Sequence, residues 1–342
     1  HIQRPQDAGR VAEQMVQVLS HKFDLGDQHS FLGASVGIAT FPEDGASAEE
    51  LLKNADTAMY RAKSGGRSQA VYFEEGMNTE AVARLMLDRD LRLAIERGEL
   101  VLHYQPQLDL RTGAIRSAEA LLRWQHPGRG LIAPNRFIPL AEESGFIEQI
   151  GQWVICEACS QMKAWQTDGL PLGQVAVNVS PRQFRKSGLV GFIRDCVAQT
   201  GVSPTCLEIE ITEGLLVDHA TVVEGMLGEL AAMGIGIALD DFGTGFSSMA
   251  YLKRFPVDTI KIDRTFIEGL GRSADSEVIV TAVIAMSHAL GKIVIAEGVE
   301  TGEQLALLRK LGCDEIQGYY LSPALPAAQF AAFVRSRELV AS

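Results

Sequence analysis

Short apolar segments alternate with longer amphipathic segments from residue 100 onward, and this pattern predicts the fold of that region. Eight segments have the length and composition of buried strands: 101–107, 114–123, 174–180, 206–212, 235–241, 258–262, 292–297 and 314–318. The first two are joined around Thr112-Gly113, which favours an antiparallel hairpin. Helical patterns separate the others, as expected for parallel strands. The pattern therefore predicts an α/β fold, a (β/α)8 TIM-like barrel with an antiparallel first strand pair.

The first 98 residues have a different pattern. Residues 1–75 contain helical periodicity over 11–19 and 48–63, and strand formers over 30–40 and 69–73. Ser47 and Glu50 have the spacing of a capping box for the second helix. These few elements make a thin core, so we expect 1–75 to be part of a larger α/β domain. Residues 76–98 are helical and charged, which predicts a connecting helix, and the barrel domain then occupies 99–342.

Polar side chains recur at the C-terminal ends of the predicted strands, on the face that points into the barrel. They are Glu119, Arg123, Asn178, Glu210, Asp240, Lys261 and Glu297, and Asp241 follows Asp240 at the tip of its strand. Carboxylates inside a barrel are unfavourable unless they are paired or bind a metal. Here five carboxylates are accompanied by only two cationic side chains, Arg123 and Lys261. Oxygen ligands suit Mg²⁺ or Mn²⁺ better than zinc. Because barrel active sites lie at this end, the set predicts a metal-dependent site.

Such a site suits the hydrolysis of a phosphodiester. Two divalent cations held close together activate a water molecule and stabilise the charge that develops on the phosphate. Lys261 could orient the attacking hydroxide or neutralise the transition state. The alternative for Lys261 is an interior ion-pair partner, and a structural salt bridge explains any one of these carboxylates equally well.

Charge and composition limit the possible partners. The 342 residues include 31 basic and 43 acidic ones, a net charge of −12, which argues against binding long nucleic acids or anionic membranes. No apolar run approaches the roughly 18 residues that span a bilayer. The five cysteines are scattered and odd in number, so we expect a reducing, cytoplasmic environment. Because the chain does not begin with Met, we expect a piece of a longer protein, whose upstream regions could hold a membrane anchor.

Several motifs resemble the EAL-domain cyclic di-GMP phosphodiesterases over residues 80–338. They are Glu119-Ala-Leu-Leu-Arg123, Val177-Asn-Val-Ser180, Glu208-Ile-Glu-Ile-Thr-Glu213, Asp240-Asp-Phe-Gly-Thr-Gly245, Ile260-Lys-Ile-Asp263, Ala296-Glu-Gly-Val-Glu300 and Gln317-Gly318. All occur in the family's order. The resemblance implies hydrolysis of cyclic di-GMP to linear pGpG by a metal-activated water, with two Mg²⁺ or Mn²⁺ ions.

The resemblance also implies a role for each matching residue. The metal ligands would be Glu119, Asn178, Glu210, Asp240, Asp241 and Glu297, with Asp240 bridging the two ions. Lys261 would contact the nucleophilic water, and Lys261, Glu297 and Glu119 would be catalytic. Substrate contacts would be Gln105, Leu121, Arg123 and Pro323, the leucine and proline touching a guanine. Glu300 and Gln317 would support the ligands.

The segment 240–248 resembles the family's loop that couples metal binding to dimer formation, with Glu213 as its anchor. The chain departs from the family at Gly214, Phe246 and Met249, and none of these departures removes a metal ligand. We therefore expect a complete site and a homodimer through the loop after Asp241.

Residues 1–75 resemble the second half of a GGDEF, or diguanylate cyclase, domain. The match rests on Ser35-Val-Gly-Ile-Ala39, Pro42-Glu-Asp-Gly45 and the segment 55–63. The catalytic Gly-Gly-Asp/Glu-Glu-Phe motif does not occur in the chain, so we expect no cyclase activity from it.

Two other functions fit parts of the pattern. A degenerate EAL module would bind cyclic di-GMP without cleaving it, but such modules usually lack a metal ligand. A different barrel enzyme, such as a lyase that stabilises an enolate with Mg²⁺, would also need buried carboxylates. The paired Asp240 and Asp241 and the ordered motifs weigh against it.

Overall fold

The protein folds as two compact units, His1–Asp90 and Leu91–Ser342. A computed structural model describes residues 5–25, 28–66, 68–185, 188–218, 220–243 and 249–341. The division between the units falls inside the predicted connecting helix. No helix within these described ranges is both long enough and apolar enough to cross a membrane.

The first unit contains helices packed beside short strands. Its elements are α1 (Pro5–Leu19), β1 (Lys22–Leu25), β2 (Gln28–Phe31), β3 (Val36–Ile38), α2 (Ala48–Ser64), β4 (Ala70–Tyr72) and α3 (Gly76–Ala94), which extends into the second unit. Strands β3 and β4 pair in parallel, and β1 and β2 form an antiparallel pair. The single strand region expected over 30–40 is thus two strands in separate sheets.

Two details at the ends of these helices differ from the prediction. Ser47 accepts a hydrogen bond from the Glu50 backbone, as expected, but the Glu50 carboxylate accepts from the Ala46 amide rather than from Ser47. The capping box is therefore incomplete. The helix predicted over 76–98 ends at Ala94, four residues early.

The second unit is a ten-stranded sheet whose central eight strands close into a barrel. Its strands are β5 (Leu100–Asp109), β6 (Ile115–His126), β7 (Gly130–Ile132), β8 (Gln174–Asn178), β9 (Leu207–Thr212), β10 (Gly236–Phe242), β11 (Thr259–Ile262), β12 (Ile293–Ala296), β13 (Glu315–Ile316) and β14 (Leu325–Pro326). All eight predicted strands are present. The added strands β7 and β14 are three and two residues long, too short for their patterns to be distinguished from loops.

Helices surround this barrel on the outside. They are α4 (Pro134–Ser144), α5 (Ile147–Thr167), α6 (Pro181–Phe184), α7 (Leu189–Thr200), α8 (Glu213–Asp218), α9 (Ala220–Ala232), α10 (Met249–Arg254), α11 (Arg264–Glu268), α12 (Ala274–Ala289), α13 (Gly302–Leu311) and α14 (Ala327–Ala341), with a 3-10 turn at Pro204–Cys206. The Cys156 and Cys159 thiols lie on α5 and are free, as are the other three cysteines.

The strand pairing confirms the predicted topology. Strands β5 and β6 pair antiparallel, and β6, β8, β9, β10, β11, β12 and β13 pair in parallel in that order. Antiparallel pairing of β13 with β5, through Glu315 opposite Asp109, closes the barrel. The parallel strands carry their C-terminal ends to one rim, which places the predicted polar residues on the same side of the molecule.

Two carboxylates, one buried and one partly buried, form the floor of the barrel below this rim. Glu208 on β9 is 3% exposed and accepts a hydrogen bond from the Thr259 hydroxyl at 2.8 Å. Glu315 on β13 accepts one from the Ser117 hydroxyl at 3.3 Å. Burial, together with the nearby carboxylates of Glu208, Asp109 and Asp314, raises the pKa of Glu315 to about 7.

The raised pKa of Glu315 predicts a pH-dependent stability. The folded state holds this proton more tightly than the unfolded chain, so its contribution is complete below about pH 4.5 and declines as the pH rises through 7. A Glu315→Gln variant should match the wild type near pH 4.5. At pH 8 it should be more stable by about 2–4 kcal/mol, since one pKa unit corresponds to about 1.4 kcal/mol. Urea unfolding across this range measures the difference, with the exposed Glu229→Gln as control. A constant difference would contradict the assignment.

Candidate active site

Lys261 lies at the centre of the candidate site, inside the rim of the barrel. Its side chain is fully buried. Its ammonium lies 2.7 Å from Glu297 Oε1, 2.8 Å from Glu210 Oε1, 3.5 Å from Glu119 Oε2 and 3.6 Å from Asp240 Oδ1. The four carboxylates come from four strands: Glu210, Asp240 and Glu297 lie at or near the C-terminal ends of theirs, and Glu119 lies within the longer β6. The barrel register is what brings them together. One buried ammonium therefore faces four acidic groups, more than it can neutralise if all of them are ionised.

The carboxylates and Lys261 alter one another's ionisation. Burial opposes the charge on Lys261, but the surrounding carboxylates, Glu119 first, hold its pKa well above the ordinary value. Burial and then repulsion from Glu119 raise the pKa of Glu210 well above its usual range. Burial raises the pKa of Glu297 to about 8. For Glu119 burial acts in the same direction, but Lys261 and two amide donors outweigh it, and its pKa is lowered.

Asn178 joins two of these carboxylates. Its side-chain nitrogen donates to Glu119 Oε1 at 2.6 Å and to Glu210 Oε2 at 3.0 Å. The turn after β8 fixes its position, because Ser180 caps α6 and forms a complete capping box with Gln183. Ligation of a cation through the Asn178 oxygen would require its amide to rotate.

The two adjacent aspartates at the end of β10 occupy different environments. Asp240 contributes to the Lys261 cluster, whereas Asp241 has a left-handed backbone with φ +55°. That conformation is uncommon for a residue with a side chain, although Asp adopts it more readily than most. Burial and the neighbouring Asp240 raise the pKa of Asp241. A cation beside Asp241 would relieve this repulsion.

A chain of amides supports Glu119 from the opposite side. The Gln317 side-chain nitrogen donates to Glu119 Oε2 and, at 3.0 Å, to Gln105 Oε1. Gln105 in turn donates to the Ser322 carbonyl at 3.1 Å. Gln317 therefore contacts a predicted metal ligand directly, and Gln105 links that contact to the wall of the cleft.

An open cleft of about 240 Å³ lies over this centre. Its lining includes the predicted residues Gln105, Glu119, Leu121, Asp240, Glu297, Glu300 and Gln317. Arg264 and Tyr319 also line it, and the pattern of strand ends did not indicate them. Arg264 directly follows the motif 260–263, and Tyr319 directly follows the motif 317–318. Their positions next to these motifs were the only feature of the sequence that could have indicated them.

Four other predicted residues lie outside the Lys261 cluster, and the predicted dimer loop cannot be placed. The Arg123 guanidinium donates to the Leu122 carbonyl and, like the exposed Pro323, is not part of the cleft lining. Glu300 lines the cleft, where its carboxylate pairs with Arg264 at 3.1 Å. Glu213 is 7% exposed at the start of α8. The loop that it would anchor includes 244–248, which lie outside the described residues together with the departure at Phe246.

The atoms available as ligands are of the kind that a hard divalent cation prefers. All candidate ligands are carboxylate or amide oxygens. Glu210 Oε1 is buried and, within the described ranges, makes no hydrogen bond, although it lies in the Lys261 ion pair. Among the same described residues, no group of three or more Asp, Glu, His or Cys side chains is already arranged to hold a metal ion. Because the carboxylates face the Lys261 ammonium, metal binding requires them to turn toward the cleft.

Comparison with known proteins identifies the family. The EAL domain family model matches residues 88–324, and the chain belongs to this family. The model described as "Diguanylate cyclase, GGDEF domain" matches residues 1–69.

Individual relatives agree with this assignment. The chain is 44% identical over 330 residues to the bifunctional diguanylate cyclase/cyclic di-GMP phosphodiesterase MucR of Pseudomonas aeruginosa. The matched region covers 96% of this chain and 48% of MucR. It is 39% identical to the cyclic di-GMP phosphodiesterase PdeR of Escherichia coli, over 94% of this chain and 48% of PdeR. A solved structure of the PaMucR phosphodiesterase in complex with c-di-GMP is 46% identical, with a TM-score of 0.69 over 72% of this chain and 99% of that one. The chain thus spans about half the length of these curated relatives.

Proposed function

We propose that the barrel domain, residues 99–342, hydrolyses cyclic di-GMP to linear pGpG in a reaction that requires Mg²⁺ or Mn²⁺. The observation that carries the proposal is the convergence of carboxylates from four barrel strands on the buried Lys261 beneath an open cleft. Family membership and the names of MucR and PdeR support the choice of substrate.

Different residues of the chain have different roles in this reaction. Two divalent cations, when bound, would supply a hydroxide nucleophile at neutral pH and would balance the negative charge on the phosphate. The ligands we propose for them are Glu119, Asn178, Glu210, Asp240, Asp241 and Glu297. Lys261 keeps its proton, so it orients the attacking water and stabilises the developing charge without acting as a base.

Other residues hold the substrate. Gln105 and Leu121 line the cleft and contact the dinucleotide, and we propose further contacts from Arg123 and from Pro323, the latter against a guanine. Gln317 and Glu300 hold the ligands and the cleft wall in place. Because the net charge is −12, binding of this anion depends on the metal site rather than on a basic surface.

We also propose an arrangement for the rest of the chain. Residues 1–75 are the C-terminal portion of a GGDEF domain without its catalytic motif, and 76–98 connect it to the barrel. These residues carry no cyclase activity by themselves. The loop after Asp241 forms a homodimer contact, and this part of the protein acts in the cytoplasm without contacting the membrane or long nucleic acids.

Incubation with cyclic di-GMP and either Mg²⁺ or Mn²⁺, followed by chromatography, tests the proposed function. We expect pGpG to accumulate and EDTA to prevent its formation, because the carboxylates alone supply no nucleophile. Tight binding of cyclic di-GMP without turnover would instead indicate a receptor. Neither binding nor turnover would indicate a barrel enzyme with another substrate.

A further inference from the structure

Gln107 is a fully buried amide inside the barrel wall, below the cleft. It lies on β5 opposite Ser117 of β6, two residues after Gln105. The pairing of β5 with β6 shifts register immediately after it. Such irregularities redirect side chains near functional sites. Three consecutive residues, 106–108, are buried here, which breaks the alternation of the strand.

The contact that Gln107 makes determines which way the next amide faces. Its Nε2 donates to Gln317 Oε1 at 2.9 Å. Because the oxygen of Gln317 accepts this bond, the nitrogen of Gln317 must face the other way. There it donates to Glu119 Oε2 and to Gln105 Oε1. With the Gln317 amide reversed, its oxygen would face the Glu119 carboxylate and repel it.

The oxygen of the Gln107 amide makes no comparable contact. Its Oε1 is buried and has no hydrogen-bond partner among the residues that the structure describes. An unsatisfied buried acceptor destabilises the folded state. An unbranched apolar side chain of similar length would remove this unsatisfied acceptor, but it would also leave the buried Gln317 Oε1 without its donor. Because these two effects on stability oppose each other, the net contribution of the Gln107 amide to the fold is small.

We infer that Gln107 is a positioning residue that sets the orientation of Gln317 and thereby holds Glu119 in place for metal binding. This inference rests on the proposed function, in which Glu119 is a metal ligand. Outer partners of this kind orient ligands in metal sites, and their loss weakens metal binding about 10- to 100-fold. Gln107 orients Gln317, and Gln317 in turn holds Glu119. Gln107 therefore acts as such an outer partner does, but it lies one residue further from the metal.

Mn²⁺ binding to the whole chain, measured by electron paramagnetic resonance without substrate, tests the inference. Gln107→Met should weaken Mn²⁺ binding by about 10-fold while its thermal midpoint stays close to that of the wild type, since one unsatisfied acceptor replaces another. A merely structural residue would lower the midpoint and leave the Mn²⁺ affinity unchanged. Gln107→Asn keeps the polarity but is too short to reach Gln317, so it should weaken binding too. Gln166→Met, on the outer helix α5, is the matched control and should bind Mn²⁺ as the wild type does.

A double-mutant cycle with Gln317→Met shows whether Gln107 acts through Gln317. In the Gln317→Met background, the Gln107→Met change should cause no further loss of Mn²⁺ affinity. A full additional loss in that background would overturn the inference, as would wild-type affinity in both Gln107 variants. If the unaltered protein does not bind Mn²⁺, the proposed function itself fails, and that outcome is distinct from the other two.

Discussion

Replacing Glu119 by alanine is expected to abolish the hydrolysis of cyclic di-GMP. Glu119 receives hydrogen bonds from both Asn178 and Gln317 and lies 3.5 Å from the Lys261 ammonium, so it joins the amide contacts of the proposed centre to its lysine. We expect turnover to fall by more than 100-fold, beyond the roughly 10- to 100-fold that loss of an outer partner causes. The rate of pGpG formation at saturating Mn²⁺ measures this effect.

The fold should survive this substitution. One lysine faces four carboxylates, so removal of one acid reduces repulsion within the barrel. Circular dichroism should therefore show an unchanged spectrum. Glu315→Gln, which alters the partly buried carboxylate on the barrel floor, is the matched control and should retain turnover. Full activity in Glu119→Ala would show that the metal assignment is wrong.

Replacing Lys261 by methionine is expected to destabilise the protein as well as to abolish turnover. Methionine fills most of the same volume but leaves the buried carboxylates of Glu210 and Glu297 without their cation. Breaking a buried ion pair from one side typically costs about 3–5 kcal/mol. Urea unfolding in the presence of EDTA measures this loss.

Divalent cations should partly restore the stability of the Lys261→Met variant. Mn²⁺ neutralises carboxylates that lysine balances in the wild type, so its addition should raise the thermal midpoint more in the variant than in the wild type. Lys163→Met changes an exposed lysine and should behave as the wild type does. An unchanged midpoint in EDTA, or retained turnover, would contradict the central role given to Lys261.

Much of the fold follows from the local pattern of the chain. Buried strands such as 206–212 and 258–262 are short apolar runs between helical segments, and parallel pairing places their ends on one rim. The period of two then selects Glu210 and Lys261 for the barrel interior. This reasoning depends only on spacing along the chain, which is why it recovered all eight strands.

The contacts that set side-chain orientation could not be derived in this way. The Gln107 amide meets Gln317 across 210 positions of sequence, and only the closed barrel brings them together. Likewise, the sequence left Lys261 as either a catalytic group or an ion-pair partner. The structure gives it four carboxylate neighbours, and its catalytic role stays a prediction. The pairing of Glu300 with Arg264 also depends on the loop after β12 meeting the start of α11 at the rim.

Hydrolysis in ¹⁸O-labelled water tests the central claim most directly, because the claim is that a metal-activated water opens the cyclic dinucleotide. The protein is incubated with cyclic di-GMP and Mn²⁺, and the product is analysed by mass spectrometry. The account predicts pGpG with one ¹⁸O atom in its terminal phosphate, and none of this product in EDTA. Unchanged cyclic di-GMP in the presence of Mn²⁺, or pGpG without the label, would contradict it.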